Sequence, residues 1–376
     1  MPWIVVIAVC LVSLHAETLP PGRQHDIERM ISQEMARQNI PAVSISVAAG
    51  GEILWSSGFG LADLENYVPA KGSTVYRLGS ISKPITAVAA LQLVETGKMQ
   101  LDASVRQYVS AFPRKPWPIT IRQLLGHLGG IRHYDKVEEI NSTRHYPDLA
   151  SALKTFQDDP LVAEPGTRFH YTTYGYVLLG AAIESASSLR YMDYLRQKVF
   201  APAGMERMRQ DHTFAIIPNR ARGYTISPDG RIQNCSLADT SNKIPGGGLA
   251  STADDLVKFA LAVRKGTLLK RATVDLMFTP LKLQDGKPTT YGLGWNVSSL
   301  DGRKIVSHTG GQQGVSTILA MLPKEGVVVA LLTNLERATL RDLTNQIARS
   351  LVDLNTSRAP SRPATPELFR TVPAKH

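Results

Sequence analysis

Residues 78–95 read Leu-Gly-Ser-Ile-Ser-Lys-Pro-Ile-Thr-Ala-Val-Ala-Ala-Leu-Gln-Leu-Val-Glu, and the rest of the chain is organised around this stretch. Its second half is a run of apolar and helix-forming residues, which predicts a buried helix that Gly97 ends. Ser80 therefore lies at the start of a helix, where free backbone N–H groups favour negative charge. Lys83 follows three residues later, so that both side chains lie on one face of the helix.

This pair of residues suits nucleophilic catalysis. A serine hydroxyl is a weak nucleophile until a neighbouring base takes its proton. A lysine that is desolvated in an apolar site loses its charge readily and can be that base. The spacing alone is a weak signal, because Ser151 and Lys154 repeat it. We interpret that second pair as a solvated helix turn.

The N-terminus of the 376-residue chain has the pattern of a leader. Residues 3–14 are apolar but too few to span a membrane comfortably, so we expect residues 1–16 to be a signal peptide cut near Ala16. An uncleaved membrane anchor is the alternative. A cleaved leader implies a secreted or periplasmic protein. It would also remove Cys10 and leave only Cys235, so no internal disulfide is expected.

Charge and histidine spacing exclude several function classes. The net charge of +10 is not gathered into a nucleic-acid-binding motif, so we expect no nucleic-acid partner. His127, His133 and His145 lack the helical spacing of a zinc hydrolase, so we expect neither a metal nor another cofactor. The chain also lacks the Gly-x-Ser-x-Gly motif of the α/β-hydrolases.

The order of sequence patterns predicts the architecture. Strand-like runs occupy both ends of the chain, at 43–48, 53–59, 292–297, 304–308, 315–322 and 326–333. Helical patterns occupy 23–39, 121–128, 174–186, 256–263 and 335–354. The simplest arrangement is an α/β (α+β) domain over 17–354, in which an antiparallel sheet flanked by helices has a mostly helical second subdomain. The sheet subdomain would span 17–100 and 291–354, the helical one 101–290, and residues 355–376 would be a disordered tail.

Two further motifs complete a constellation. Pro165 to Thr173 includes Tyr171 just ahead of an apolar helix, and Ser307-His308-Thr309-Gly310-Gly311 lies on a predicted strand. The ordered set Ser80-x-x-Lys83, Tyr171-x-Thr173 and His308-Thr309-Gly310 resembles the penicillin-recognising serine hydrolases, of the class C β-lactamase and D-alanyl-D-alanine carboxypeptidase type. Over roughly residues 25–350 the chain is most similar to the serine β-lactamase-like proteins of the mitochondrial type. Shared runs are 130–134, 156–161, 246–252 and 307–311.

The resemblance implies a β-lactamase/transpeptidase-like fold and a role for each matching residue. Ser80 would be acylated and Lys83 would help to deprotonate it. Tyr171 would pass protons between the nucleophile, the leaving group and water, provided that nearby cations lower its pKa from about 10. The backbone N–H groups of Ser80 and Gly311 would form the oxyanion hole.

The same resemblance implies substrate contacts, with two departures. Thr309 and Gly310 would bind the substrate, as would Thr173, which replaces the usual asparagine. His308 takes the place of a permanent lysine cation and would donate to Tyr171 or to a substrate carboxylate. Both changes weaken the case for an efficient β-lactamase. Glu164 is a candidate base for deacylation, although a solvated loop carboxylate is the simpler interpretation.

These observations predict a serine hydrolase that forms an acyl-enzyme on Ser80. Amide or peptide hydrolysis is the leading reaction, with ester cleavage second and weak β-lactamase activity a further option. The alternative is a low-turnover protein of the same fold that senses a ligand or assembles into filaments, as the mitochondrial relatives do. The partners implied are a small-molecule or peptide substrate, a homo-oligomer or filament, and a membrane only if the leader is retained.

Overall fold

The computed structural model describes residues 18–356, so the predicted signal peptide and nearly all of the predicted tail lie outside the described residues. The strands are β1 Ala42–Ala49, β2 Glu52–Asp63, β3 Val68–Pro69, β4 Tyr76–Arg77, β5 Arg209–Gln210, β6 Tyr224–Ile226, β7 Ile232–Asn234, β8 Leu249–Ser251, β9 Asn296–Leu300, β10 Arg303–Gln312, β11 Val315–Leu322 and β12 Val327–Thr333. The α-helices are α1 Pro21–Gln38, α2 Ser82–Glu95, α3 Ile121–Leu125, α4 Val137–Ile140, α5 Leu149–Leu153, α6 Tyr174–Ser187, α7 Tyr191–Leu195, α8 Ala201–Ala203, α9 Ile244–Gly247, α10 Ala253–Lys265, α11 Arg271–Met277 and α12 Arg341–Thr356.

One antiparallel sheet joins the two ends of the chain, as the sequence predicts. Its seven strands lie in the order β3-β2-β1-β12-β11-β10-β9, so that β1 pairs with β12 across almost the whole chain length. The hairpin between β1 and β2 turns at Gly50 and Gly51, whose φ values of 65° and 100° suit glycine. The predicted fold class is confirmed.

The sheet is covered on both faces, which explains why its central strands are apolar without alternation. In β12, Val328, Ala330 and Leu332 face the core that contains α2, α6 and α10. Val327, Val329 and Leu331 face the opposite core, with α1 and α12. This two-residue alternation of direction is what a strand buried on both faces requires.

Helix α2 lies at the centre of the larger core. Every residue from Ser82 to Leu91 is buried, so this part of the helix has no solvent-exposed face. A polar side chain on such a helix has to find its partners within the protein. The prediction of a buried helix behind Ser80 is therefore confirmed, and Lys83 lies on this helix.

Several predicted boundaries are wrong for local reasons. Helix α3 ends at Leu125 rather than 128, because His127 adopts a left-handed φ of 59°. Strand β9 begins at Asn296 rather than 292, since the Gly292 N–H donates to the Trp295 carbonyl in a turn. Helix α12 begins at Arg341 rather than 335. The middle of the chain also contains short strands, β5 to β8, beside its helices.

Among the helices of residues 18–356, none combines the length and the apolar character needed to cross a bilayer.

Candidate active site

Ser80 and Lys83 meet at the start of α2. Ser80 lies in a 3₁₀ turn, Gly79–Ile81, that leads directly into the helix. The Lys83 Nζ atom lies 2.9 Å from the Ser80 Oγ atom, within direct hydrogen-bonding distance. Ser80 is partly exposed whereas Lys83 is fully buried. The hydroxyl is therefore open to a substrate while the amine is shielded from water.

The surroundings of Lys83 favour its neutral form. Its Nζ atom also donates to the Gly246 carbonyl at 2.7 Å and to the Thr173 Oγ1 atom at 3.2 Å, and both acceptors are uncharged. Within the described residues, no carboxylate lies within 4.0 Å of this amine. Burial, and then the charge of Lys243, lower the pKa of Lys83 well below its ordinary value. An unprotonated amine beside a serine hydroxyl can accept its proton.

Thr173 contacts this lysine rather than open solvent. Its side chain is 3 % exposed, and its backbone N–H donates to the His133 Nδ1 atom at 3.2 Å. It precedes α6, and Gly246 packs so closely against it that a Cβ there would lie 2.6 Å from the Thr173 Cγ2 atom. The position predicted to bind substrate thus supports the Lys83 amine.

Tyr171 lies over the Lys83 amine, near Ser80. The Lys83 Nζ atom is 4.7 Å from the centre of the Tyr171 ring. Burial raises the pKa of Tyr171 above its ordinary value, and the neighbouring Ser80 hydroxyl offsets this only in part. A pKa lowered by nearby cations, the condition set above for proton transfer through Tyr171, is therefore not found. Tyr171 is a neutral phenol at neutral pH.

His308 is buried beside the site, and it is uncharged. Its Nδ1 atom lies 2.7 Å from the Thr309 carbonyl, which can only accept, so Nδ1 carries the proton. The Nε2 atom then accepts from the Tyr291 hydroxyl at 2.8 Å. Burial, and then the charge of Lys83, lower the pKa of His308 to about 3. The ring was predicted to donate to Tyr171 or to a substrate carboxylate, and in this structure its two nitrogens are instead engaged by Thr309 and Tyr291.

Strand β10 approaches the nucleophile's turn through glycines. A Cβ atom on Gly310 would lie 2.0 Å from the Leu78 carbonyl oxygen, and one on Gly79 would lie 2.9 Å from the Gly311 nitrogen. The Thr317 hydroxyl on the next strand donates to the same Leu78 carbonyl at 2.8 Å. Side chains at these glycines would push the strand away. The sequence-predicted oxyanion pair, Ser80 and Gly311, is thus on adjacent segments.

A cavity of about 730 Å³ runs along the outer side of this strand. Thr309, Gly310 and Gly311 form one wall, residues 137–141 contribute a second, and the turn 336–341 contributes a third. Thr309 and Gly311 are exposed on the strand. The cavity reaches Gly310 and Gly311, which pack against Leu78 and Gly79, but Ser80 and Lys83 do not line it.

The second Ser-x-x-Lys pair, Ser151 and Lys154, is not part of this site. Ser151 is in the short helix α5, where its backbone N–H donates to the Asp148 carboxylate at 2.7 Å. Lys154 is exposed, as is Glu164. The interpretation of Ser151-x-x-Lys154 as a solvated helix turn is therefore confirmed.

Sequence reasoning missed Lys243. Lys243 is only 2 % exposed, and its charge contributes to the lowered pKa of Lys83. The only signal was a lysine just before the run Ile-Pro-Gly-Gly-Gly at 244–248, where a charged side chain has little solvent to reach. Two further rings, His127 and His133, pack against Tyr171 with centres 4.3 and 5.8 Å away.

The chain is similar in sequence to serine beta-lactamase-like and penicillin-binding proteins. A model of the family described as Beta-lactamase matches residues 27–353. The human serine beta-lactamase-like protein LACTB, mitochondrial, is 30% identical over 82% of this chain and 76% of its own length. Penicillin-binding protein 4* of Bacillus subtilis is 30% identical over 79% of this chain and 68% of its own.

A solved structure shares the fold. The octameric penicillin-binding protein homologue from Pyrococcus abyssi superposes with a TM-score of 0.76 at 27% identity. The match covers 88% of this chain and 77% of that one.

Proposed function

The chain belongs to the beta-lactamase family, whose members are serine hydrolases, and we propose that Ser80 is its acylated nucleophile. The observation that carries the proposal is the 2.9 Å approach of the Lys83 amine to the Ser80 hydroxyl. That amine is buried on a helix without a polar face, so it can act as a base at neutral pH.

The proton path follows from the charge states. Ser80 Oγ attacks the substrate carbonyl carbon while its proton moves to the neutral Lys83 amine. The leaving nitrogen then takes a proton from the Tyr171 phenol as the C–N bond breaks, and Lys83 returns its proton to Tyr171. The raised pKa of Tyr171 means only that the phenol is protonated before the step, so the proton must move as the nitrogen becomes basic on C–N cleavage. In deacylation, water attacks the ester carbon and passes its proton to Lys83, which gives a proton to Ser80 Oγ as the bond between the acyl carbon and Oγ breaks and the acid product leaves.

The N–H groups of Ser80 and Gly311 would stabilise the oxyanion that forms in both steps. This assignment is supported by the close contact of Gly79 with the Gly311 backbone. No side chain comes between the two segments there. A carbonyl oxygen could therefore reach both donors from the cavity side.

An amide or peptide substrate is favoured over a simple ester by the open edge of β10. Strand β9 pairs with residues 303–307 only, so within the described chain residues 309–311 lack a strand partner on the cavity side. An extended peptide can pair with such an edge through its own backbone groups. An ester offers fewer groups for this pairing, so ester cleavage is the second reaction.

A fluorophosphonate probe followed by intact mass and peptide mapping tests the nucleophile. Wild type and Ser151→Ala should gain one adduct on the peptide that contains Ser80, and Ser80→Ala should gain none. Labelling of Ser80→Ala at wild-type stoichiometry would reject the assignment. A panel of D- and L-peptide amides, p-nitrophenyl esters, a penicillin and nitrocefin then ranks the reactions, and faster turnover of the esters would reverse our order.

Self-assembly and an extracytoplasmic location are also part of the proposal. The relative from Pyrococcus abyssi is described as octameric, which motivates the first. Light scattering after size exclusion measures the assembly. Fractionation of cells that express the full chain measures the location.

A further inference from the structure

A second buried lysine lies close to the proposed site. Lys243 ends the 3₁₀ turn Ser241–Lys243, and α9 follows it directly. The carbonyl of Gly246 in α9 accepts from the Lys83 amine at 2.7 Å. One short segment therefore carries the Lys243 side chain and also holds the Lys83 amine.

The contacts of the Lys243 ammonium leave its charge unpaired. Its Nζ atom donates to the Ile140 carbonyl at 3.0 Å and lies 5.1 Å from the centre of the Tyr134 ring. No carboxylate of the described residues lies within 4.0 Å of it. A buried charge without a counter-ion acts over a longer distance than a paired one, because the low dielectric screens it weakly.

We propose that Lys243 is a positioning residue whose ammonium charge adds to the burial of Lys83 in favouring the unprotonated amine, which accepts the Ser80 proton. The proposal deepens the function proposed above and rests on it.

The other ionisable groups that face Lys83 are neutral at pH 7. Burial raises the pKa of the two phenols, and burial with neighbouring charges lowers the pKa of the three imidazoles, to about 4 for His133 and about 3 for His308. These groups are Tyr171, Tyr176, His127, His133 and His308. Lys243 is then the charge among the described residues that acts on Lys83.

The groups that face Lys243 leave it charged at pH 7. Burial, and then Arg77, lower the pKa of Lys243 to about 8, and Asp211 and Asp239 act in the opposite direction. Both carboxylates are held by other partners. Asp211 binds Arg77 at 2.9 Å, and Asp239 binds the His145 ring at 3.0 Å. They therefore cannot close on Lys243 and cancel its charge.

A structural role for Lys243 makes a different prediction, and the chain offers a control for it. The Gln313 side chain donates to the same Ile140 carbonyl at 2.9 Å, but it carries no charge. If Lys243 only anchors that carbonyl, replacing either residue should have similar effects. If its charge matters, only Lys243 variants should change the pH dependence of acylation.

The experiment measures the rate of Ser80 labelling by a neutral fluorophosphonate from pH 5 to pH 10, by intact mass. Lys243→Met should shift the acidic limb to higher pH by about one unit, which is about tenfold in rate below the midpoint, with an unchanged plateau at high pH. Lys243→Arg should keep the wild-type midpoint. Gln313→Met should also keep the wild-type midpoint, even if its labelling rate at high pH changes. Lys243→Gln keeps a donor for the Ile140 carbonyl, and its midpoint should shift as that of Lys243→Met does. If Lys243→Met does not fold, Lys243→Gln takes its place in the comparison.

Equal midpoints in wild type, Lys243→Met and Lys243→Gln would overturn the inference. So would a shift in Lys243→Arg equal to that in Lys243→Met, because the charge is then irrelevant. A wild-type protein that never labels at Ser80 overturns the proposed function itself, which is a separate result from an unshifted limb.

Discussion

Two Ser-x-x-Lys turns of this molecule share a spacing, but their lysines differ in burial and in the groups that they contact. Lys83 is fully buried on α2, and its amine touches only uncharged oxygen atoms. Lys154 is exposed at the end of α5. Hydrogen bonds from Ser151, and also the charge of Lys154, lower the pKa of Asp148. The second lysine thus lies in solvent, where its charge acts on a neighbouring carboxylate.

The Ser-x-x-Lys spacing alone does not decide whether its lysine can act as a base. Three residues of helix bring a hydroxyl and an amine to the same face in both places. Only the tertiary structure removes water from one of the amines, and desolvation is what makes a lysine available as a base. Each prediction below either widens the contrast between the two turns or removes it.

The largest expected effect is on catalysis. Lys83→Ala should lower the rate of acylation by roughly 10²-fold or more, which is the scale for loss of a positioned general base. Lys154→Ala, the matched control, should acylate at the wild-type rate. Labelling with a fluorophosphonate, quenched at a series of times, measures both acylation rates. Near wild-type acylation in Lys83→Ala would make Lys83 a structural residue and would erase the contrast.

A smaller effect is expected on the pH dependence of stability. The pKa of Lys83 is lowered in the folded protein, whereas it is near 10.4 in an unfolded chain. Between these values the unfolded chain binds more protons, so stability rises with pH by up to about 1.4 kcal/mol per unit. Lys83→Met should lack this gain between pH 7 and pH 9, as urea denaturation would measure.

The matched control is again the exposed turn. Lys154→Met should keep the wild-type slope, because its side chain is exposed in the folded protein. Parallel slopes in wild type and Lys83→Met would contradict the lowered pKa.

The sequence predicted what depends on local pattern. The buried helix behind Ser80 and the strand Val315–Leu322 follow from apolar periodicity, and the structure has both. The Ser80–Lys83 contact follows from helical spacing. Lys243 could not be predicted, because its place beside Lys83 depends on a contact between segments 160 residues apart. The strand expected at 292–297 begins only at Asn296, because a turn closed by the Gly292 N–H and the Trp295 carbonyl precedes it.

Charge states were the least predictable property of the site. A histidine on a predicted strand is expected to titrate near pH 6.5. Burial at His308, which no local pattern reveals, lowers that pKa to about 3. Burial likewise raises the pKa of Tyr171, where the proton-transfer role required it to be lowered. Residue types could be predicted from the motifs, but their protonation required the packing around them.

The smallest expected effect is an absence of titration at His308 between pH 5 and pH 7. The ring is neutral throughout this range, because its Nδ1 atom donates to Thr309 and its Nε2 atom accepts from Tyr291. A second proton on Nε2 would break the bond to Tyr291 and place a charge in a buried site beside Lys83. The ratio of kcat/KM for a carboxylate-bearing amide to that for its neutral counterpart should therefore stay constant within about twofold. A tenfold fall in that ratio with a midpoint near 6.5 would show that His308 pairs with the carboxylate as a cation. Burial would then fail to set the charge at His308, and the explanation for the difference between Lys83 and Lys154 would fail with it.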